Sequence, residues 1–348
     1  SVRQHECKMK KSDLLKEARK RRRKMAKVQN RRRLKSKNYR GTVNSMIRPF
    51  KRNKYGVEHA LDMHASSYVI LPAEAIYEKD LIKKYQSVID TCHIYFVGYL
   101  PKLEFTGAKQ IGTDIELSYL VANQKRVLRF GPIPNDVSFR VDGGDHFMED
   151  SSGSRYWWDD DKLMKMLNQQ PPNLHFEVKY IGQAYGKDGS RNALDRLMKH
   201  ETLQKISIKG VPEGYKLSLL LLEVEPSNTL ITAFTPHALT KDTDSARIKS
   251  GLDKLYGTSE AERISLFEAS MIRYFSPEYN KEFKNSFPST NLKVLQDCYD
   301  KDISTVFSQI CIDEIPFMLF SQEVKPMQYH LSKHDLHQDS DRKVFFGV

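Results

Sequence analysis

From residue 57 onward, the apolar positions along the chain follow patterns typical of both strands and helices. The segment "SSYVILPAEAIYEKDLIKKYQSVIDTCHIYFVGYL" mixes short apolar runs with a helical stretch near residues 79–91. The runs "TDIELSYLV" and "KRVLRF" flank "ANQ", which predicts a β-hairpin, and "DVSFRVDGG" predicts a strand that Gly-Gly ends. "DDDKLMKMLNQQPP" begins with Asp, repeats apolar residues three or four apart and stops at Pro-Pro, as helices do. Residues 57–172 are therefore predicted to form an α+β module.

The second half of the chain shows the same mixture. Residues 175–182 predict a strand, residues 183–190 a loop and about 191–204 a helix, and "YKLSLLLLEVE" predicts another strand. "SEAERISLFEASMIRYF" predicts an amphipathic helix that begins at a serine, because apolar residues recur at helical spacing. The last 60 residues look β-containing and finish in the polar stretch "HLSKHDLHQDSDRK". The predicted fold class of the whole chain is therefore α+β.

Hydropathy and cysteine usage predict a soluble protein. The longest apolar block, "LSLLLLEVE", is too short to cross a bilayer as a helix, and the N-terminus has no apolar signal-peptide core. The four cysteines have no CxxC spacing, which is typical of free thiols in a reducing compartment. We therefore expect a cytoplasmic protein with no membrane partner.

Charge divides the chain unevenly. Residues 1–54 hold 22 Lys and Arg against 3 Asp and Glu, whereas the remaining residues hold 34 against 41. The N-terminal segment also has few large apolar side chains and cannot form a core of its own. Residues 1–56 are therefore predicted to be a basic arm, disordered or helical.

Clustered cations of this kind bind the phosphate backbone of nucleic acids without reading sequence. The arm residues predicted to do so are Arg21, Arg22, Arg23, Lys24, Arg31, Arg32 and Arg33. Two alternatives are a solvated tail with a localisation role and an arm that grips the acidic body of a partner subunit. We expect DNA as the partner, with RNA as the alternative.

Three short motifs in the second half combine into one pattern. "KYIGQAYG" places Tyr180, Ile181 and Gly182 at the end of a predicted strand. "DRLMKH" places Arg196 and His200 four residues apart, on one face of a predicted helix. Further on, "FEASMIRYFSPEYN" places Glu268 on a helix, with Asn280 just beyond its end. Each motif is weak alone, but their order on the right kinds of element is specific.

This order of motifs resembles the GIY-YIG nuclease superfamily over about residues 130–285. The resemblance implies a small mixed sheet flanked by helices, in a nuclease domain with a C-terminal extension that we place at residues 173–348. The module at 57–172 would then serve regulation, target recognition or assembly, either as a homo-oligomer or with a partner protein. The implied activity is hydrolysis of DNA phosphodiester bonds by a metal-dependent endonuclease, in a setting such as restriction or phage defence.

The residue types suit this chemistry. A single carboxylate, Glu268, can hold Mg²⁺ or Mn²⁺ when the ion retains several waters. Arg196 is permanently cationic and forked, which suits a scissile phosphate, and His200 could orient that phosphate or carry a proton. Asn280 is expected to fix the loop or the Glu268 helix by hydrogen bonds. Lys187, Lys199 and Lys205 are expected to add phosphate contacts, and surface solubility explains these lysines equally well.

The tyrosine that activates water in this superfamily normally belongs to a G-I-Y motif on the preceding strand, and no G-I-Y precedes Tyr180. Residues 138–144, "SFRVDGG", occupy a plausible place for that strand but contain no tyrosine. Tyr185 and Tyr156 are the candidates to replace it. Tyr185 lies five residues after Tyr180, and Tyr156 would need its loop to fold back.

Two other functions compete with the enzyme. One is a catalytically inactive nuclease fold that binds nucleic acid, and the other is an RNA- or ribosome-associated protein held by the basic arm. A metal site at His330, His334 and His337 is a third local hypothesis. A polar surface tail is the favoured interpretation of that histidine segment.

Overall fold

The computed structural model describes residues 53–185, 196–197, 201–235, 238–240, 246–288 and 292–345, with the backbone alone at 160–161. Residues 1–52 of the basic arm, with its seven arginine and lysine candidates, lie outside the described residues, and so do Lys187, Lys199 and His200.

The described chain is a mixed α+β fold, as predicted. The strands are Val57–Pro72 (β1), Ile94–Pro101 (β2), Leu103–Ile111 (β3), Asp114–Val121 (β4), Gln124–Phe130 (β5), Val137–Asp142 (β6), Asp145–Asp150 (β7), Arg155–Tyr156 (β8), His175–Gln183 (β9), Tyr215–Val224 (β10), Thr229–Phe234 (β11), Thr305–Ile310 (β12), Met318–Phe320 (β13) and His330–Asp335 (β14). The helices are Lys79–Ile89 (α1), Asp160–Gln169 (α2), Glu201–Lys209 (α3), Ala246–Gly257 (α4), Glu260–Phe275 (α5) and Lys293–Asp300 (α6), with a 3-10 turn at Ala73–Tyr77.

The principal sheet has the order β13-β9-β2-β10-β1-β12-β14, with β11 also paired to β1. The pairs β13–β9 and β1–β12 are parallel, and the other pairs are antiparallel. β2 and β10 are apolar on both sides because helices cover both faces at the centre of the sheet. One face packs against α5 and α6 through residues such as Phe96, and the other packs against α1 and α3 through residues such as Val97.

Two small three-stranded sheets, β3-β4-β5 and β6-β7-β8, lie in the chain between β2 and β9. The predicted hairpin around "ANQ" is confirmed, since β4 pairs with β5 from Val121↔Gln124 outward. Residues 138–144, in contrast, do not form a neighbour of the Y-I-G strand. They belong to the second small sheet, and β2 is the strand that pairs with β9 along the Y-I-G segment.

The predicted boundary between residues 172 and 173 does not separate two structural units. β1 and β2 come from the proposed module at 57–172, yet they alternate in one sheet with β9 and β10 from the proposed nuclease domain. Residues 53–348 accordingly form one compact unit. Composition could not show this, because both halves have the same mixture of strands and helices.

Helix α5 begins and ends at clear local signals. Ser259 forms a capping box with Glu262, in which the Ser259 hydroxyl accepts from the Glu262 N–H and the Glu262 carboxylate accepts from the Ser259 N–H. The helix ends at Ser276, whose backbone is left-handed at a φ of 47°. The predicted start of this helix at a serine is confirmed.

The histidine segment at the C-terminal end is not a polar surface tail. His330 to Asp335 form β14, and His330 is 2% exposed against Phe275, with ring centroids 4.8 Å apart. Burial lowers the pKa of both His330 and His334 to about 4, so both rings are neutral near pH 7. No group of three or more His, Cys, Asp or Glu side chains within the described ranges is arranged to hold a metal.

An ion network ties the C-terminal segment to β1. The buried Glu58 carboxylate accepts from Arg342 at 3.0 Å and from Arg247 at 3.1 Å, and Asp302 pairs with both arginines. Loss of the arginines would leave the buried Glu58 carboxylate without a counter-charge, which is costly. The network therefore connects Arg342, near the end of the described chain, to β1, near its beginning. No helix in the described part of the chain is long and apolar enough to span a bilayer.

Candidate active site

Antiparallel pairing of β2 and β9 brings two tyrosines together. Tyr95 lies opposite Gly182, and Val97 lies opposite Tyr180. The rings of Tyr95 and Tyr180 are tilted by 34° with centroids 6.2 Å apart. Beyond the effect of burial, Tyr180 raises the pKa of Tyr95, whereas Tyr95 lowers that of Tyr180.

Gly182 makes room for this arrangement. A Cβ at Gly182 would lie 2.5 Å from both Cζ and the hydroxyl oxygen of Tyr95, which is closer than any real contact. The glycine of the Y-I-G motif is therefore required by the close approach of the Tyr95 ring.

Tyr95 is the site residue that the sequence analysis missed. It stands in "HIYFVGYL", where the triplet His93-Ile94-Tyr95 differs from G-I-Y at its first position only. Two small sheets and α2 separate it from Tyr180 in the chain, so the two tyrosines are not near each other in sequence. The available signal was an Ile-Tyr pair inside a strand-like run upstream.

Glu268 reaches the same place from α5. Its carboxylate accepts hydrogen bonds from the backbone N–H and the side chain of Gln183, the residue that follows the Y-I-G triplet. Burial raises the pKa of Glu268 to about 7, and Arg196 and the two Gln183 bonds oppose that rise. A carboxylate of this kind is costly to ionise in the folded chain, as is common at functional sites.

Arg196 supplies the positive charge of the site. It is helical and exposed, while the adjacent Leu197 is buried in the core below α1 and α3. Its charge acts on three groups at once and lowers the pKa of Tyr95, Tyr180 and Glu268. The structure thus brings four side chains to one end of the β2–β9 pair.

The two tyrosines are held in a mainly protonated state. Burial raises the pKa of Tyr95 far above its ordinary value, and the neighbouring Tyr180 adds to that rise. Burial also raises the pKa of Tyr180, with Glu268 adding to it and Arg196 opposing it. Since the pKa of Tyr95 is raised further than that of Tyr180, Tyr180 is the tyrosine that loses its proton more readily.

Asn280 fixes the edge of the Y-I-G strand. Its side chain accepts from the Ile181 N–H at 2.9 Å and donates to the Ile181 carbonyl at 2.8 Å, and it is 8% exposed. The next backbone contact is from the Tyr279 N–H to the Lys179 carbonyl at 3.0 Å. Asn280 therefore links the loop after α5 to β9, in the structural role predicted for it.

A group of paired charges joins the same loop to α3. Glu278 lies 3.2 Å from Lys179 on β9 and 2.7 Å from Lys209 at the end of α3. Lys179 is also 2.7 Å from Glu177. These ion pairs connect the loop after α5 and the end of α3 to β9, the strand that carries Tyr180.

Tyr185 and Tyr156 lie elsewhere. The Tyr185 hydroxyl donates to Glu260 at 2.9 Å, and Glu260 is two helical turns before Glu268, about 12 Å along the helix axis. Tyr156 is exposed on β8 and donates to Asp150 at 2.6 Å. Neither tyrosine is brought beside Tyr180.

The donor set at the site suits a hard divalent cation. Glu268 contributes one carboxylate, and Glu282 is close enough to raise the pKa of both Glu268 and Tyr180. Mg²⁺ and Mn²⁺ bind through one or two carboxylates when they keep most of their waters, so these residues fit such an ion.

No protein-family model matches this chain, and neither curated proteins nor solved structures give a match. The candidate site is defined by the arrangement of Tyr95, Tyr180, Arg196 and Glu268 and by the motifs that contain them.

Proposed function

We propose that this protein is a metal-dependent endonuclease of the GIY-YIG type that hydrolyses DNA phosphodiester bonds. The observation that supports it best is the pairing of Tyr95 with Tyr180 beside Arg196 and Glu268. In this proposal His93-Ile94-Tyr95 takes the place of the G-I-Y motif, because Tyr95 lies on the strand that pairs with Y-I-G.

Each residue has a distinct part in the proposed hydrolysis. Arg196 binds the scissile phosphate through its forked guanidinium and offsets charge that develops on the phosphoryl oxygens. Tyr180 first loses its own proton to solvent, which the charge of Arg196 favours, and the tyrosinate then takes the proton from the attacking water. Tyr95 packs beside the Tyr180 ring and orients it.

Glu268 and its neighbours hold the metal position. The Glu268 carboxylate would bind Mg²⁺ or Mn²⁺, with Glu282 adding negative charge nearby. A bound divalent ion would supply electrostatic stabilisation of the phosphoryl transition state and a lower pKa for its waters. Gln183 fixes the Glu268 carboxylate, and Asn280 fixes the strand that carries Gln183.

The remaining predicted contacts belong to DNA binding. His200, one turn from Arg196 in sequence, is proposed to orient the phosphate, and Lys187, Lys199 and the basic arm are proposed to contact the phosphate backbone. The compact unit at 53–348 would then carry the cleavage site, and the arm would supply much of the salt-sensitive affinity. We further propose that the protein is cytoplasmic and acts in restriction or phage defence.

Nicking of supercoiled plasmid tests the proposal. Wild-type protein should nick the plasmid with Mg²⁺ or Mn²⁺ and stop when EDTA is added. Arg196→Ala should slow nicking at least tenfold, because it removes the phosphate-binding cation. Arg140→Ala is the matched control, since Arg140 is an exposed arginine on β6 that pairs with Glu149. Equal loss in both variants would count against the assigned role of Arg196, and no nicking by wild type would contradict the enzyme.

A further inference from the structure

Strand β11 lies at an edge that the principal sheet leaves open. It pairs with the first half of β1, from Val57↔Phe234 to Asp62↔Thr229. β10 precedes it along the same edge of β1, and β10 is covered by β2 only as far as the pair Ile94↔Leu222. Within the described part of the chain, no strand lies along the outer side of β11.

Large apolar side chains surround this open edge. Phe234 is 69% exposed and Leu239, in the segment after β11, is 57% exposed. Helix α4 packs against β1 and β11 and buries Gly251 and Lys254. Its exposed apolar residues recur four apart, so they form one stripe beside the buried side of the helix. The β11–α4 face consists of Phe234, Ile248, Leu252 and Tyr256, whereas Ile231 is exposed on the opposite side of β11.

The edge also lacks the features that normally protect such strands. Natural edge strands are kept apart by charged side chains, prolines or bulges. Residues 229–235, "TLITAFT", contain neither charge nor proline. A strand of this composition pairs readily with another strand, and the exposed apolar side chains beside it mark an interaction surface.

We propose that the β11–α4 face binds a second copy of this chain, with the two β11 strands paired antiparallel around a two-fold axis. At a two-fold axis the same surface of each subunit meets its counterpart on the other, so a charged β11 would face a strand of like charge. The uncharged β11 avoids that repulsion. Lys249 and Asp253 are exposed on α4 and differ in sign, so antiparallel helices would place each Lys249 near Asp253 of the partner subunit.

The two copies would then form a continuous sheet across the axis. The backbone N–H and C=O groups of β11 gain partners, and the stripe Ile248, Leu252 and Tyr256 packs against its own counterpart. A dimer carries two candidate active sites, which suits a substrate whose two strands are themselves antiparallel. That last consequence depends on the proposed function, whereas the dimer itself does not.

Sedimentation velocity of the full chain tests the dimer. Wild-type protein should sediment at twice the 40.4 kDa mass of one chain. Ile231→Lys should sediment at the mass of one chain, because two lysines would face each other at the paired edge. Val141→Lys is the matched control, since Val141 is 56% exposed on a strand of a small sheet. It should remain dimeric. A monomeric wild type, or a dimeric Ile231→Lys protein, would overturn the proposal.

A cysteine cross-link decides the case if Ile231→Lys fails to fold. Leu252→Cys should give a disulfide-linked dimer under mild oxidation, because the antiparallel α4 helices bring the two copies of residue 252 together. Val141→Cys should give only the background of the wild-type cysteines. Absence of a Leu252→Cys dimer above that background would overturn the proposed axis. None of these readouts depends on nicking, so the dimer and the endonuclease can fail separately.

Discussion

Tyr95 and Tyr180 lie on neighbouring antiparallel strands with ring centroids 6.2 Å apart, and the pKa of Tyr95 is raised further than that of Tyr180. This difference gives the two residues unequal roles in the proposed hydrolysis. Tyr180 carries the proton-accepting oxygen, and Tyr95 orients it.

Removing either hydroxyl should therefore slow cleavage by different amounts. We expect Tyr180→Phe to reduce the single-turnover nicking rate by about 10²–10⁴-fold, as for loss of a general base. Tyr95→Phe should have a smaller effect, and the double variant should resemble Tyr180→Phe because the two act as a unit. Tyr156→Phe is the control and should leave the rate unchanged. Additive losses in the double variant would contradict the coupling.

Gly182→Ala should destabilise the fold, because the added methyl group would clash with the Tyr95 ring. The new Cβ would lie 2.5 Å from the Tyr95 ring, and overpacking of this kind lowers the free energy of unfolding by about 1–3 kcal/mol. In a Tyr95→Ala background the same substitution should cost much less, as urea unfolding will show. Gly98→Ala provides the comparison, because its Cβ would meet the Glu177 carbonyl at 2.2 Å and Tyr95→Ala should not relieve it. Equal costs for Gly182→Ala in both backgrounds would refute this explanation.

Much of the local structure was predictable from the sequence, because it depends on residues close together in the chain. The α5 helix, with its serine cap, and the β4–β5 hairpin follow from caps, turns and apolar spacing. The motifs also led to Tyr180, Glu268 and Asn280, which the structure places around one strand end. Tyr95 escaped because two small sheets separate it from Tyr180, and because His93 stands where the motif has glycine.

The assembly of the principal sheet was not predictable for a related reason. β1 pairs with β10, β11 and β12, which are all far from it in sequence. Neither composition nor periodicity records such long-range pairing. The sequence therefore could not show that residue 172 lies inside one structural unit and is not a domain boundary. The burial of His330 in β14 was not predictable either, because a polar residue can be buried when its side chain finds hydrogen-bond partners.

Asn280→Ala should weaken both the fold and the site. The substitution leaves the N–H and C=O of Ile181 without their side-chain partner, at a cost of about 1–3 kcal/mol in the free energy of unfolding. Nicking should fall as well, because Asn280 anchors the strand that carries Tyr180 and Gln183. Asn135→Ala is the matched control, since Asn135 is an exposed side chain in the turn before β6. Its effect on stability should stay within about 0.5 kcal/mol.

His330 should make the fold sensitive to acid. Burial lowers its folded pKa to about 4 from an unfolded value near 6.5, so the unfolded chain binds more protons between these limits. Its contribution is therefore fully present above pH 6.5 and is lost as pH falls toward 4, amounting to roughly 3 kcal/mol in all. Chemical unfolding of His330→Gln at pH 7, 6 and 5 should show a shallower decline than wild type. Parallel declines would contradict the burial of a neutral ring.

The most direct test of the endonuclease is Glu268→Gln, assayed for both DNA binding and nicking on the same supercoiled plasmid. Because Gln keeps the shape of the side chain but cannot hold the cation, the variant should bind plasmid as wild type does and lose Mg²⁺-dependent nicking by at least 10²-fold. Glu104→Gln, a change at an exposed carboxylate on β3, should leave both unchanged. Nicking by Glu268→Gln at the wild-type rate, or binding by wild type without any metal-dependent nicking, would contradict the proposed enzyme.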